Sequence, residues 1–188
     1  MARAGVTPER LTAVAAELAD EIGFENLTVS AVAGRFGVSV ASLYSHIRNA
    51  EEVRVRVALL ALAEMADAAA EALAGRSGKD ALVAFADAYR TYARTHPGRY
   101  TAARMRLDPQ TAQASAAIRH SQMIRSILRG YDVPEAEHDH AVRFMASIFH
   151  GFAALEASGG FAYSPGIDAS WRRALDALDV TLSAWPTS

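Results

Sequence analysis

Cysteine is absent from the 188-residue chain. That excludes a disulfide framework, a CxxC redox pair and any thiolate metal site, and it suits a reducing cytoplasm. Lysine is nearly absent: among 19 cationic residues only Lys79 is lysine, so arginine supplies the other 18. Together with the abundant alanine, this is the bias of a GC-rich coding sequence and points to a bacterial source. Long apolar runs are missing too. No window approaches about 18 uninterrupted apolar residues, and the opening MARAGVTPERL has no stretch of signal-peptide length, so a cytoplasmic protein with no membrane partner is expected.

A large excess of charge of either sign is lacking. A net charge of −2 excludes a general basic coat, and any nucleic-acid contact must be local. The sequence has no GxSxG elbow and no phosphate-binding glycine loop, so neither an enzyme nor a cofactor is expected.

What is present reads as helix. Alanine and leucine dominate, glycine and proline fall at gaps, and no strand-like alternation is sustained; the fold class is all-α with about nine helices. Thr7-Pro8-Glu9 opens the first helix and Gly23 closes it. Thr28 caps a short second helix, VSAVAGRF, which Gly37 ends; Ser39 caps a third, VASLYSHI. Asn49 and Glu52 make a capping-box pattern at the start of a long fourth helix running to about Ala74, and GRSGK at 75–79 is a linker. Helix five spans about 80–95 and stops at His96-Pro97, with a short helix to about Leu107 behind it. Asp108-Pro109 opens a seventh helix running to Gly130, Pro134 an eighth ended by Gly159-Gly160, and Asp168 caps the last.

Two short helices joined by a glycine-containing turn form a helix-turn-helix, whose second helix can enter the DNA major groove. Val29, Val32, Ala33, Val38 and Leu43 would hold the pair together. Val40, Ala41, Ser42, Tyr44, Ser45 and His46 would remain outward as small or hydrogen-bonding groups. Residues 26–50 contain two arginines and no acid, as a surface facing phosphates requires, and Thr28, Ser42 and Tyr44 can donate neutral hydrogen bonds to phosphate oxygens. Geometry alone also fits an ordinary pair of core helices.

The run LTVSAVAGRFGVSVASLYSHIRNAEEV resembles the signature of the tetracycline-repressor (TetR) family, with its L-T pair, G-V-S at the turn and L-Y before x-H. The resemblance covers about residues 8–55. It implies a homodimeric, sequence-specific transcriptional regulator of double-stranded DNA that binds a near-palindromic operator through the third helix of each subunit. By the family pattern Val40, Ala41 and Ser45 face bases, while Thr28, Ser39, Ser42, Tyr44, His46 and Arg48 anchor the backbone. Ile47 stands where many members have phenylalanine, and Ala50 where a phosphate-binding lysine is usual. With no arginine, asparagine or glutamine on the base-facing side, recognition leans on thymine methyls, DNA shape and Arg3 on an amino-terminal arm.

The expected domains are 1–48 for DNA and 49–188 for effector binding and dimerisation. FHGFAALEASGGF at 149–161 and RTHPGRY at 94–100 resemble the tryptophan-histidine-glycine subgroup of the family, with Phe149 in place of the tryptophan. The eighth helix is apolar on nearly all sides, and the last carries Trp171, Leu175, Leu178, Leu182 and Trp185 in one stripe. Ile148, Gly151, Phe152, Leu155, Trp171, Leu175, Leu178 and Leu182 are therefore candidates for the dimer interface. An effector pocket, for a small apolar or aromatic molecule of unknown identity, would draw on Tyr89, Tyr92, Tyr100, Met105, Met123, Phe144 and His150. The expected action is repression relieved by that molecule. The alternative is a helical ligand-binding or metal-dependent protein with a non-functional DNA-binding domain. PEAEHDHAV holds two Glu-x-x-His pairs, Glu135/His138 and Glu137/His140, although acids at a helix start are simply placed to cap it. No metal is expected.

Overall fold

In a computed structural model describing residues 6–163 and 166–186, the chain is helical throughout, with no strand among the described residues. The helices are α1 (Pro8–Ile22), α2 (Val29–Phe36), α3 (Val40–Leu43), α4 (Ala50–Leu73), α5 (Gly78–Thr95), α6 (Pro97–Ala102), α7 (Pro109–Ala114), α8 (Ala117–Arg129), α9 (His138–Ala157) and α10 (Ile167–Ser183). Short 3-10 turns at Phe24–Asn26 and Glu135–Glu137 precede α2 and α9. No described helix is long and apolar enough to cross a membrane.

Local chemistry explains most boundaries. Thr7 accepts the Arg10 N–H at 3.2 Å and Thr28 the Ala31 N–H at 3.1 Å, each satisfying an amide the helix itself leaves open. Gly37 takes the left-handed conformation, φ 67° and ψ 35°, which lets the Val38 N–H reach back to the Ala33 carbonyl at 3.1 Å and turns the chain toward α3.

Among the described residues there are ten α-helices, against about nine expected, because the segment 109–130 is broken at Ser115. Its backbone is extended there, and its hydroxyl donates to the Ala112 carbonyl at 2.7 Å, competing with helix continuation. Asp168 does not cap α10. Gly166 occupies that position, and Asp168 lies in the first turn, paired with Arg90 at 2.8 Å.

The helices gather into two compact units, one taking in residues up to Glu64 together with Thr95–Ala116, the other Met65–Arg94 with the residues from Ala117 onward. The break expected after residue 48 thus falls inside the first unit, whose core includes Leu11, Ala15, Val32, Leu43, Ile47, Val53 and Val57. α6 belongs there because of α1. Gly98 packs so closely that an added Cβ would stand 1.9 Å from the Ala19 carbonyl oxygen. Asp20 Oδ1 accepts the Arg99 N–H at 2.8 Å, capping α6 from another helix, while its Oδ2 pairs with Arg99 at 3.0 Å. Arg99 also pairs with Glu64 at 3.2 Å.

The core of the second unit contains Leu82, Phe85, Leu128, Met145, Phe149, Trp171, Leu175, Leu178 and Leu182. Four of the residues expected at a dimer interface, Trp171, Leu175, Leu178 and Leu182, are therefore buried in their own subunit and offer nothing to a second copy. Their stripe supplies the one side of α10 needed to close this core, and Trp171 also donates to Asp87 at 2.6 Å. The side of α10 left exposed carries Arg173, Asp176, Ala177 and Val180. On α9, Phe144 and Leu155 are exposed, and Ile148, Gly151 and Phe152 are half-buried.

Candidate nucleic-acid interface

The helix-turn-helix is assembled from its apolar side. Val29, Val32, Ala33, Leu43 and Ile47 are buried in one cluster with Val38 packed against it, which fixes α3 relative to α2. Arginine and aromatic pairs brace the outside: the Arg54 guanidinium lies 4.0 Å above the Phe24 ring and donates to the Phe24 carbonyl at 2.9 Å. Arg35 pairs with Glu21 across from α1.

Of the nine candidate DNA-contacting residues, Thr28, Ser39, Val40, Ala41, Ser42, Tyr44, Ser45 and Arg48 are exposed, and His46 is half-buried. Tyr44 is 50% exposed, so it is not a core residue. Arg3 lies outside the described residues. The expected eight-residue reading helix is shorter: α3 holds four residues and continues as a turn through His46, with the His46 N–H donating to the Leu43 carbonyl at 2.8 Å. Serines account for this. Ser45 Oγ donates to the Ser42 carbonyl at 2.7 Å, and Ser39 and Ser42 share a hydroxyl–hydroxyl bond of 2.9 Å, giving the backbone alternatives to a longer helix. Thr28 Oγ1 accepts its capping N–H and keeps its hydroxyl proton for an external acceptor, whereas the Ser39 hydroxyl is engaged both by its cap and by Ser42.

Beyond α3 the chain is clamped. Asn49 Oδ1 accepts the Glu52 N–H at 2.9 Å. Glu52 does not complete the expected reciprocal box at Asn49 but reaches one residue further, its Oε2 accepting the Arg48 N–H at 2.7 Å and Arg48 Nε at 3.1 Å. Its Oε1 accepts from Arg56 Nη2 at 2.6 Å, and that nitrogen also donates to the His46 carbonyl at 3.2 Å. The Arg48 amide, then the Arg48 and Arg56 side chains, pull the Glu52 carboxyl from 4.5 to about 2 against the opposing effect of burial. Tyr44, Ser45, His46, Ile47, Arg48 and Glu52 line an open cleft of about 410 Å³. The sequence signals for the clamp were the acid three residues after Asn49 and the Glu52/Arg56 spacing of one helical turn; the role of Arg56 was not anticipated.

The seven residues expected in an effector pocket are distributed over both units. Tyr100 and Met105 fall in the first unit, and Met105 packs on its core. Tyr89 and Met123 pack on the core of the second unit, where Tyr89 and His120 Nδ1 share a 2.6 Å hydrogen bond. Tyr92 is buried, Phe144 packs at a tilt against Trp185 with ring centroids 5.9 Å apart, and His150 is half-buried on α9. A cleft of about 190 Å³ between the ends of α4, α5 and α8 contains Met123 alone of the seven, beside Leu73, Ala81 and Ile127.

The Glu-x-x-His pairs are separated by burial. His138 is buried and donates from Nε2 to the Val133 carbonyl at 3.0 Å, Glu137 accepts from Trp185 at 3.3 Å, and Glu135 and His140 are exposed. Among the described residues no three His, Asp or Glu side chains group as a metal site.

Comparison with known proteins agrees with this layout. A model described as "Bacterial regulatory proteins, tetR family" matches residues 11–57, and one described as "Tetracyclin repressor-like, C-terminal domain" matches 82–178. The chain is 32% identical over 160 residues to the uncharacterized HTH-type transcriptional regulator YobS of Bacillus subtilis, covering 85% of this chain and 83% of that one. It is 33% identical over 142 residues to the uncharacterized HTH-type transcriptional regulator Rv0681 of Mycobacterium tuberculosis, covering 74% and 65%. The fold is shared with a TetR-Q116A variant from Acinetobacter baumannii solved in complex with minocycline, with a TM-score of 0.72, 20% identity and coverage of 98% and 100%. On these matches at both ends of the chain, the protein belongs to the TetR family of DNA-binding transcriptional regulators.

Proposed function

We propose that the protein is a homodimeric repressor whose two α3 segments enter successive major grooves of a near-palindromic operator, and that a small apolar or aromatic molecule bound by the second unit releases it. The observation that carries the DNA contact is the exposed, acid-free surface from Thr28 to Arg48, built on a buried apolar face. Val40, Ala41 and Ser45 reach base edges, with the two apolar residues suited to thymine methyls. Thr28, Ser39, Ser42, Tyr44, His46 and Arg48 hold the backbone.

The interface between copies uses Phe144, Ile148, Gly151 and Leu155 of α9 with Val180 of α10, which are among the apolar groups that the second unit leaves exposed or half-buried. The aromatic interior around Phe85, Tyr89 and Phe149, with its Tyr89–His120 polar pair, supports the effector class. Release requires the effector to favour a conformation in which the two reading segments no longer match the grooves; a hundredfold loss of operator affinity corresponds to about 2.7 kcal/mol of differential binding.

Selection of bound duplexes from random DNA by the purified protein tests the reading. The expected product is two half-sites related by a dyad, with centres about one helical turn or a small multiple apart. Recovery of sequences with no dyad, or of none at all, overturns it.

A further inference from the structure

We infer that Glu52 is a positioning residue for DNA binding, whose carboxylate sets the Arg48 guanidinium with its outer edge toward a backbone phosphate. This rests on the proposed contact between the helix-turn-helix and DNA. The Arg48 side chain is 87% exposed, yet it is held at two points by the same oxygen, Glu52 Oε2, through its own amide and through Nε. Occupation of Nε leaves Nη1 and Nη2, the two-pronged end whose spacing matches a pair of phosphate oxygens. An arginine already fixed in that attitude loses less freedom when the phosphate arrives.

The anchor is itself fixed. The Glu52 side chain is 15% exposed, its second oxygen is tied to Arg56, and Arg56 grips the His46 carbonyl. Two guanidinium groups around one carboxylate leave a net positive charge beside a cleft that the Tyr44 and Ser45 side chains also line. Glu51, exposed at the next position, is the remaining acid nearby in sequence.

A bystander carboxylate and a positioning carboxylate predict opposite signs. If Glu52 were merely a negative charge near phosphates, Glu52→Gln would tighten binding and steepen its salt dependence, since the protein gains a unit of positive charge. If it positions Arg48, Glu52→Gln weakens binding.

The test uses full-length protein and a duplex carrying the sequence recovered from the random pool, with Kd measured between about 50 and 200 mM salt. Glu52→Gln and Arg48→Ala are each expected to weaken binding about tenfold and to lower the salt slope by about one. The double variant is expected to lose little more than either alone, because both changes abolish the same contact. Arg48→Lys, which keeps the charge but has no Nε to clamp, is expected to behave like Arg48→Ala. Unchanged or tighter binding by Glu52→Gln, losses that multiply in the double variant, or wild-type affinity for Arg48→Lys would overturn the inference while leaving the operator reading intact. If melting shows that Glu52→Gln is unfolded at the assay temperature, Arg48→Lys decides alone. Failure of the wild-type protein to bind any selected duplex would instead remove the operator reading.

Discussion

Gly98 and Gly34 look alike as letters but sit in opposite surroundings. A Cβ on Gly98 would overlap the Ala19 carbonyl carbon and oxygen, backbone atoms that cannot rotate aside, whereas a Cβ on Gly34 would meet nothing within 4 Å. Gly98→Ala must therefore push α6 away from α1 and is expected to cost about 1–3 kcal/mol. Gly34→Ala is expected to gain about 0.5–1 kcal/mol by stiffening the unfolded chain within an α2 geometry alanine accepts. Thermal melting of the two variants should shift in opposite directions. The Gly98 effect was not legible in the sequence, because the Ala19 carbonyl it meets belongs to α1, far back along the chain. Glu52 was legible in part: its spacing from Asn49 announced a helix start, but not that its carboxylate would extend to Arg48 and Arg56.

Among the elements, α2 and the start of α3 were the most readable, since Thr28, Gly37 and Ser39 act on amides within a few residues of themselves. Thr28 combines a cap with a proposed phosphate contact, and substitution can separate the two. Thr28→Ala is expected to lose about 1 kcal/mol of stability with the cap. Thr28→Asp is expected to keep that stability, because aspartate caps as well, yet to weaken operator binding by placing an acid against phosphates. Melting and DNA titration on the same samples check both halves. The length of α3 and the interruption at Ser115 escaped the sequence reading because a serine hydroxyl can cap, bend or simply face solvent, and its choice depends on which backbone carbonyl lies within reach.

At the scale of the whole molecule, the question is which faces remain for a second copy. An apolar stripe on α10 and an apolar α9 suggested an interface, and burial divides them: Leu175 and Leu178 close the core, while Val180 is 67% exposed and Leu155 49%. Val180→Glu is accordingly expected to dissociate the proposed dimer without unfolding the subunit, seen as a halved mass in sedimentation with helical content retained and operator affinity reduced. Leu175→Glu is expected to unfold the second unit, since it places a charge inside a core with no partner. A Val180→Glu protein that stays dimeric would move the interface elsewhere.

The sequence by itself determined the helical class, the positions of most caps, the glycine turn of the helix-turn-helix and its acid-free surface. These depend on interactions that span one or two helical turns and so are written in adjacent letters. Only the tertiary structure decided that α6 joins the DNA-binding unit and that the aromatic and leucine stripe of α10 serves its own core. A helix has more than one face that can be buried, and which face meets a partner depends on residues far along the chain.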